Sequence, residues 1–190
     1  MNKEEELINN IYNFQCHKKS DYYNKTTFTS KIGSSIYGEI TPYGVESILK
    51  KFNKYFNEES VFYDLGCGLG KMVFHMGIKT NIKKICGIEY SKERYQGCMD
   101  IQEQHGSSLN NISFINDSFF NIDINDGTIF YMDNTAMISK PFLSSVYNIF
   151  PSGALILHQV PFSEQDSFIL NGEYPFTTYG SRNMRYFIKN

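Results

Sequence analysis

The chain lacks tryptophan, has only five prolines, and carries four cysteines among its 190 residues, none of them in a Cys-x-x-Cys pair. Cys16, Cys67, Cys86 and Cys98 also have no histidine beside them at a ligand spacing. That pattern favours free thiols in a reducing compartment over zinc or disulfides, and no metal is expected. No apolar run approaches the ~20 residues needed to cross a bilayer. The stretch from Met1 to Leu7 is acidic rather than signal-like. Both features predict an intracellular chain, cytoplasmic or nuclear, with no membrane partner. Excess positive charge is missing too. A formal net charge of −2 argues against strong nucleic-acid binding by bulk electrostatics. What is present, 41% hydrophobic and 20% charged residues, is ordinary for a folded domain and excludes wholesale disorder.

The length fits one domain with a real core. Residues 1–36 read as an N-terminal helix (Glu4 to Phe14) followed by a polar arm, and residues 37–190 as the main domain. Thr41-Pro42 opens a helix, with Thr as N-cap and Pro in the first turn, and Val45, Ile48, Leu49 and Phe52 form its apolar face. Strands are expected at Val61–Leu65, Lys84–Glu89, Ile112–Asn116, Thr128–Met132 and Ala154–His158. Helices over Lys71–Ile78, Ser91–Gln104 and Lys140–Phe150 alternate with them. Such alternation predicts an α/β fold with a mostly parallel sheet and helices on both faces. At the end, Phe176–Tyr179 and Met184–Ile188 flank a Gly180–Asn183 turn without a helix, which reads as an antiparallel hairpin completing seven strands.

The chemistry concentrates where the first two strands end. Asp64-Leu65-Gly66-Cys67-Gly68-Leu69-Gly70 is a glycine turn between strand and helix, and Gly87-Ile88-Glu89 closes the next strand on an acid. Glycines allow a tight turn and close approach of a ligand. A carboxylate about 20 residues further on can accept both hydroxyls of a ribose. The turn has no Lys-Ser/Thr of a phosphate-binding loop, so a nucleoside without a phosphate chain is the better fit. The acid-first spacing resembles the motif of S-adenosylmethionine enzymes of the Rossmann-like class I methyltransferase type, whose last strand is inserted antiparallel. In that reading Asp64, Gly66, Gly68 and Glu89 bind S-adenosyl-L-methionine, with Asp64 orienting the amino group of the methionine part. Lys71 either touches the cofactor's carboxylate or simply starts the helix. Cys67 reads as a space-filler, and His158 as a core or rim histidine with a pocket role as the rival.

One further constellation narrows the family. Tyr37-Gly38-Glu39 stands one helix before the glycine turn, Asn116-Asp117-Ser118 follows the third strand, and Ile129 to Ala136 runs through Asp133-Asn134. With Pro161-Phe162 after the fifth strand, these resemble the non-SET protein lysine methyltransferases of the disruptor-of-telomeric-silencing class, over roughly residues 37–162. The resemblance implies that Tyr37, Gly38 and Glu39 form a loop over the cofactor and that Asp117 meets the adenine amino group beside Ser118. It also implies that Asp133 and Asn134 serve cofactor and substrate, with Tyr37, Asp133 and Asn134 as the catalytic set. Asp133 replaces the family's first Asn, and Ser118 replaces the Phe that stacks on adenine, a place Phe119 could fill. Tyr37, Tyr131, Phe162 and Tyr179 are the candidate walls of a lysine channel. The lysine-rich segment with which histone-directed members hold nucleosomes has no counterpart here. A protein lysine is the expected substrate, histone or, as the better fit, non-histone. The alternatives are an RNA or small-molecule methyltransferase, or a catalytically silent partner subunit.

Overall fold

The computed structural model describes residues 2–14, 38–133, 139–163, 166–170, 176–178 and 183–190. Tyr37, Asn134, Tyr179, Cys16 and most of the expected arm and of the Gly180–Asn183 turn therefore lie outside the described residues.

Seven strands form one sheet: β1 (Val61–Leu65), β2 (Lys84–Ile88), β3 (Ile112–Ile115), β4 (Ile129–Met132), β5 (Leu155–His158), β6 (Ser167–Leu170) and β7 (Asn183–Ile188), in the order β3-β2-β1-β4-β5-β7-β6. The first five are parallel. β7 runs antiparallel between β5 and β6. The chain order reverses between β1 and β4, the switch point where open α/β sheets leave a crevice at the carboxyl ends of the strands.

The helices begin where their caps allow. In α1 (Lys3–Asn13), Asn2 and Glu5 form a capping box. Thr41 Oγ1 accepts from Gly44 N at 3.0 Å to start α2 (Pro42–Lys51). Ser91 accepts from Arg94 N to start α4 (Lys92–His105). α3 (Lys71–Lys79) springs from the glycine turn, and α5 (Lys140–Ile149) carries Pro in its first turn.

Strand parity divides the core in two. Phe62, Ile85, Ile129, Tyr131, Leu155 and Leu157 pack with α1, α2, α3 and α4. Tyr63, Leu65, Ile88, Phe130 and Ile156 pack on the other face with Val146 of α5, Phe119 and Phe150. Each such side chain, once removed from water, contributes about 1.5–3 kcal/mol before chain entropy is set against it.

The expected terminal hairpin is corrected in one half. β7 falls where expected, but its outer partner is Ser167–Leu170, not the segment from Phe176. Phe176–Thr178 pairs instead with the residues leading into α2: Thr41 N donates to Phe176 O at 2.7 Å, Thr178 N to Glu39 O at 2.8 Å, and Ile40 faces Thr177 in an antiparallel bridge. The aromatic and β-branched content of this segment does favour extended backbone. Its partner is set by tertiary packing that local pattern does not contain.

Gly70 stands at the left-handed φ of 72°, and a Cβ there would lie 2.6 Å from the Phe114 ring. Gly70→Ala is expected to destabilise the fold by about 2–4 kcal/mol, combining left-handed strain with overpacking. The check is urea unfolding: the midpoint should drop with little change in slope.

Candidate functional site

The glycine turn is pinned from the neighbouring strand. Gly66 N and Cys67 N both donate to the Ile88 carbonyl, at 2.8 and 3.1 Å. Gly68 N donates to Glu89 Oε2 at 2.8 Å, and Ser91 N to Glu89 Oε1 at 2.7 Å. Three residues of the turn, Gly66, Gly68 and Gly70, have φ between 60° and 84°. Around Gly66 a Cβ would meet nothing within 4 Å, so the turn presents bare backbone to open space there. Glu89 is buried, which pushes its carboxyl above the ordinary value. The Ser91 N–H, the Arg94 charge and the Gly68 N–H oppose that shift.

Beside the turn is a small cavity of ≈ 30 Å³, lined by Gly38, Glu39, Ile40, Asp64, Gly66, Cys67, Lys71, Met72, Tyr131 and Asp133. β1 and β4 place the acids: Asp64 and Tyr131 are direct partners in the parallel register, and Asp133 follows two residues on. Asp64 is 2% exposed, and its carboxyl is pushed well above the usual range by burial, then by the charges of Glu89 and Asp133. Glu39 is buried as well. Burial raises the Tyr131 phenol, as do Asp133 and Asp64, so it stays neutral. Among the described lining residues the one cation is Lys71, 2% exposed. Buried acids, Asp64 among them held well above its ordinary pKa, on one cavity with a lysine suit a zwitterion. A bound ammonium favours the ionised acids, and a bound carboxylate favours the lysine.

The cavity holds about one water, so a nucleoside-sized ligand must extend past its rim toward Glu89. The chain has what such a ligand needs at that end: a carboxylate beside the turn and unobstructed backbone at Gly66. The residues present therefore fit an amino-acid-bearing nucleoside.

The structure gathers Gly38, Glu39, Asp64, Gly66, Lys71 and Asp133 around one cavity, with Gly68 and Glu89 at its margin. Asp117 and Ser118 lie beyond β3. Asp117 Oδ1 accepts from Ser118 N at 2.6 Å and Asn121 Nδ2 at 2.9 Å, and Asn116 Nδ2 ties this loop to Glu89 O at 2.8 Å. Phe119 does not fill the place of the missing Phe. It is turned into the core, and Phe120 is the exposed ring.

Phe162 is not brought to the cavity. It packs on the opposite face with His158, Phe150 and Phe187 and lines a separate groove. His158 is fully buried, its Nδ1 bonded to the Val160 carbonyl, which fits the core reading. Cys67 fills space against Gly87, where a Cβ would sit 2.7 Å from its Sγ.

Two residues escaped the sequence reading. Tyr12 of α1 bonds through its hydroxyl to His75 Nδ1 at 3.3 Å, and its phenol is raised by burial and by Glu39, Asp64 and Glu46. His75 of α3 is 1% exposed and bonds through Nε2 to Glu46 Oε1 at 3.1 Å. Only the helical repeat from Leu7 to Tyr12, which demands a packing partner, hinted at this docking.

The strand order, the antiparallel β7 and a glycine turn pinned by an acid at the end of β2 define a class I methyltransferase fold. An RNA methyltransferase from Salinibacter ruber, solved with S-adenosyl-L-homocysteine, superposes with a TM-score of 0.61 at 15% identity, covering 76% of this chain and 89% of that one. A tRNA (m1A58) methyltransferase from Aquifex aeolicus superposes at 0.58 and 13% identity, covering 100% of this chain and 76% of that one. These likenesses are of fold. Residues 12–130 match the family described as histone methylation protein DOT1, and the chain belongs to that family. A protein-lysine N-methyltransferase of Saccharolobus islandicus is 27% identical over 106 residues, which span 54% of this chain and 64% of the relative.

Asp64→Asn removes a buried charge that Glu89 and Asp133 repel. The ligand-free variant should therefore gain about 1 kcal/mol, or about 2–4 °C in Tm, while binding at the cavity weakens. A carboxyl raised in the folded state has no such penalty below its unfolded pKa of about 4 and accumulates it as pH rises toward the folded value. Thermal unfolding should thus show the variant's advantage at pH 7 shrinking toward pH 4.

Proposed function

We propose that this chain is an S-adenosyl-L-methionine-dependent methyltransferase acting on the side-chain amine of a protein lysine, with a non-histone protein as the better fit. The observation that carries the donor assignment is the cavity where Asp64, Asp133, Glu39 and Lys71 converge beside the pinned glycine turn. Membership of the histone methylation family and the likeness to a protein-lysine N-methyltransferase support the acceptor assignment. Bound there, S-adenosylmethionine supplies an electrophilic methyl group carried on a sulfonium.

The chain's own residues bind and orient. Asp64 and its acidic neighbours take the amino group, Lys71 the carboxylate, and Glu89 the ribose hydroxyls. Asp117, in the loop that Asn116 ties to Glu89, takes the adenine edge, with Ser118 capping the turn beneath it. Asp133 follows β4, where the acceptor amine must approach beside Tyr131 as a channel wall; Tyr37 and Asn134 complete the catalytic set with Asp133 in the reading. Orientation of reacting groups of this kind supplies roughly 7–11 kcal/mol of barrier lowering. An acceptor lysine must also arrive uncharged. Burial against the Tyr131 ring disfavours the ammonium, whereas the Asp133 carboxylate favours it. Asp133 therefore acts by positioning the amine rather than as the sole agent of deprotonation. The net charge of −2 fits neither a nucleosomal nor a bulk RNA surface.

Incubating the protein with methyl-labelled donor and cell extract tests the acceptor: labelled protein yielding methyl-lysine on hydrolysis is expected. Label in RNA would overturn the lysine reading in favour of the RNA alternative, and absence of any label would point to a silent partner. Glu89→Ala should weaken S-adenosylhomocysteine binding at least about 10-fold in calorimetry, the loss of two charge-assisted bonds. It should also lower stability, since Gly68 N and Ser91 N lose their acceptor.

A further inference from the structure

Lys71 opens α3 directly after the glycine turn, yet its ammonium reaches toward α1. Nζ donates to the Ile11 carbonyl and lies 5.6 Å from the centroid of the Tyr12 ring. The last turn of α1 contains no basic side chain. Carbonyls at a helix C-terminus carry partial negative charge, so a cation is favoured there; the Ile11 carbonyl, which also accepts from Phe14 N, is one of them. Lys71 supplies that cation from another element. Tyr12 is in turn fixed from below: its ring meets His75 edge-on at 5.8 Å and 83°, its hydroxyl bonds to His75 Nδ1, and His75 Nε2 bonds to Glu46 of α2. Lys71 is also a lining residue of the acidic cavity, with Asp64 and Asp133.

We propose that Tyr12 is a positioning residue of the donor site, holding the Lys71 ammonium where the donor's α-carboxylate binds, so that α1 belongs to the site. The proposal rests on the reading of the cavity as the amino-acid end of S-adenosylmethionine. A carboxylate entering among Glu39, Asp64 and Asp133 is repelled unless a cation stands at a fixed point beside it. A lysine ammonium is a mobile point charge on a flexible stem. The Tyr12 face and the Ile11 carbonyl remove that mobility before the ligand arrives, which lowers the ordering cost of binding.

The test compares two ligands that differ at that end. S-adenosylhomocysteine carries the amino-acid group, and 5′-methylthioadenosine keeps the adenosine and the thioether without it. In calorimetry, Tyr12→Leu should weaken S-adenosylhomocysteine about 10-fold and leave methylthioadenosine within about two-fold. Tyr12→Phe keeps the aromatic face and loses only the His75 bond, so it should show the same split at about 2- to 5-fold, and it serves if Tyr12→Leu folds poorly. Lys71→Met should show the full split. Equal losses for both ligands in the Tyr12 variants, or an unchanged S-adenosylhomocysteine affinity, would overturn the proposal while the donor reading stands. A wild-type protein that binds neither ligand overturns both.

Discussion

The Glu89 carboxylate is the joint on which the site is built. One oxygen accepts from the glycine turn after β1, the other from the first residues of α4, and the Asn116 amide reaches the Glu89 carbonyl from β3. Three consecutive crossover units thus meet at one residue at the carboxyl edge of the sheet. Leaving either N–H buried without an acceptor costs about 1–3 kcal/mol. The turn therefore keeps its shape whether or not a ligand is present. In the proposed reading the same anion that shapes the turn also accepts the ribose hydroxyls, so fold and recognition would share one group.

The acids around the cavity show the opposite economy. Asp64 is buried near Glu89 and Asp133, whose charges oppose its own. A folding optimum would place an apolar or amide side chain there. The charge is retained at the expense of stability, as expected where a cation is to be received rather than where a structure is to be held. Lys71 does not cancel the cluster, because its ammonium is directed partly to the end of α1. The result is a polarised cavity, acidic along β1 and β4 and cationic toward α1.

Much of this was legible in the sequence, because the signals were local. Alternating helices and strands, the Thr41-Pro42 start and the Asp64-to-Gly70 turn are dictated by period, caps and glycine, and the structure places them within a residue or two. Glu89 was legible for the same reason, since its distance from the turn is fixed by one βα unit. What was not legible depends on pairing across the chain. Nothing in Phe176-Thr177-Thr178 says that it pairs with Ile40 rather than with β7. Nothing near Tyr12 says that it lies under Lys71. Phe162 was misassigned because a motif after β5 does not state which face of the sheet its side chain will take.

Cavity size alone would favour a different candidate site. A groove of ≈ 1030 Å³ lies between α5 and the strands β6 and β7, lined by Tyr147, Phe162, Asp166 and Phe187 among others. It stands on the face of Tyr63 and Phe130, whereas Asp64 and Tyr131 point to the face of α3. Its carboxylate is engaged in structure: Asp166 accepts from Phe162 N, Ser163 N and Ser163 Oγ, fixing the loop after β5. His158, beside it, is brought down to about 4 by burial and the Arg185 charge, against Asp166, and is neutral near pH 7. Among the described residues, a buried acid pushed well above its usual range, a buried lysine and bare glycine backbone converge on the far smaller cavity at the switch point. Tolerated unfavourable charge at the carboxyl ends of the strands is what favours the β1–β4 crevice over the larger groove as the candidate site.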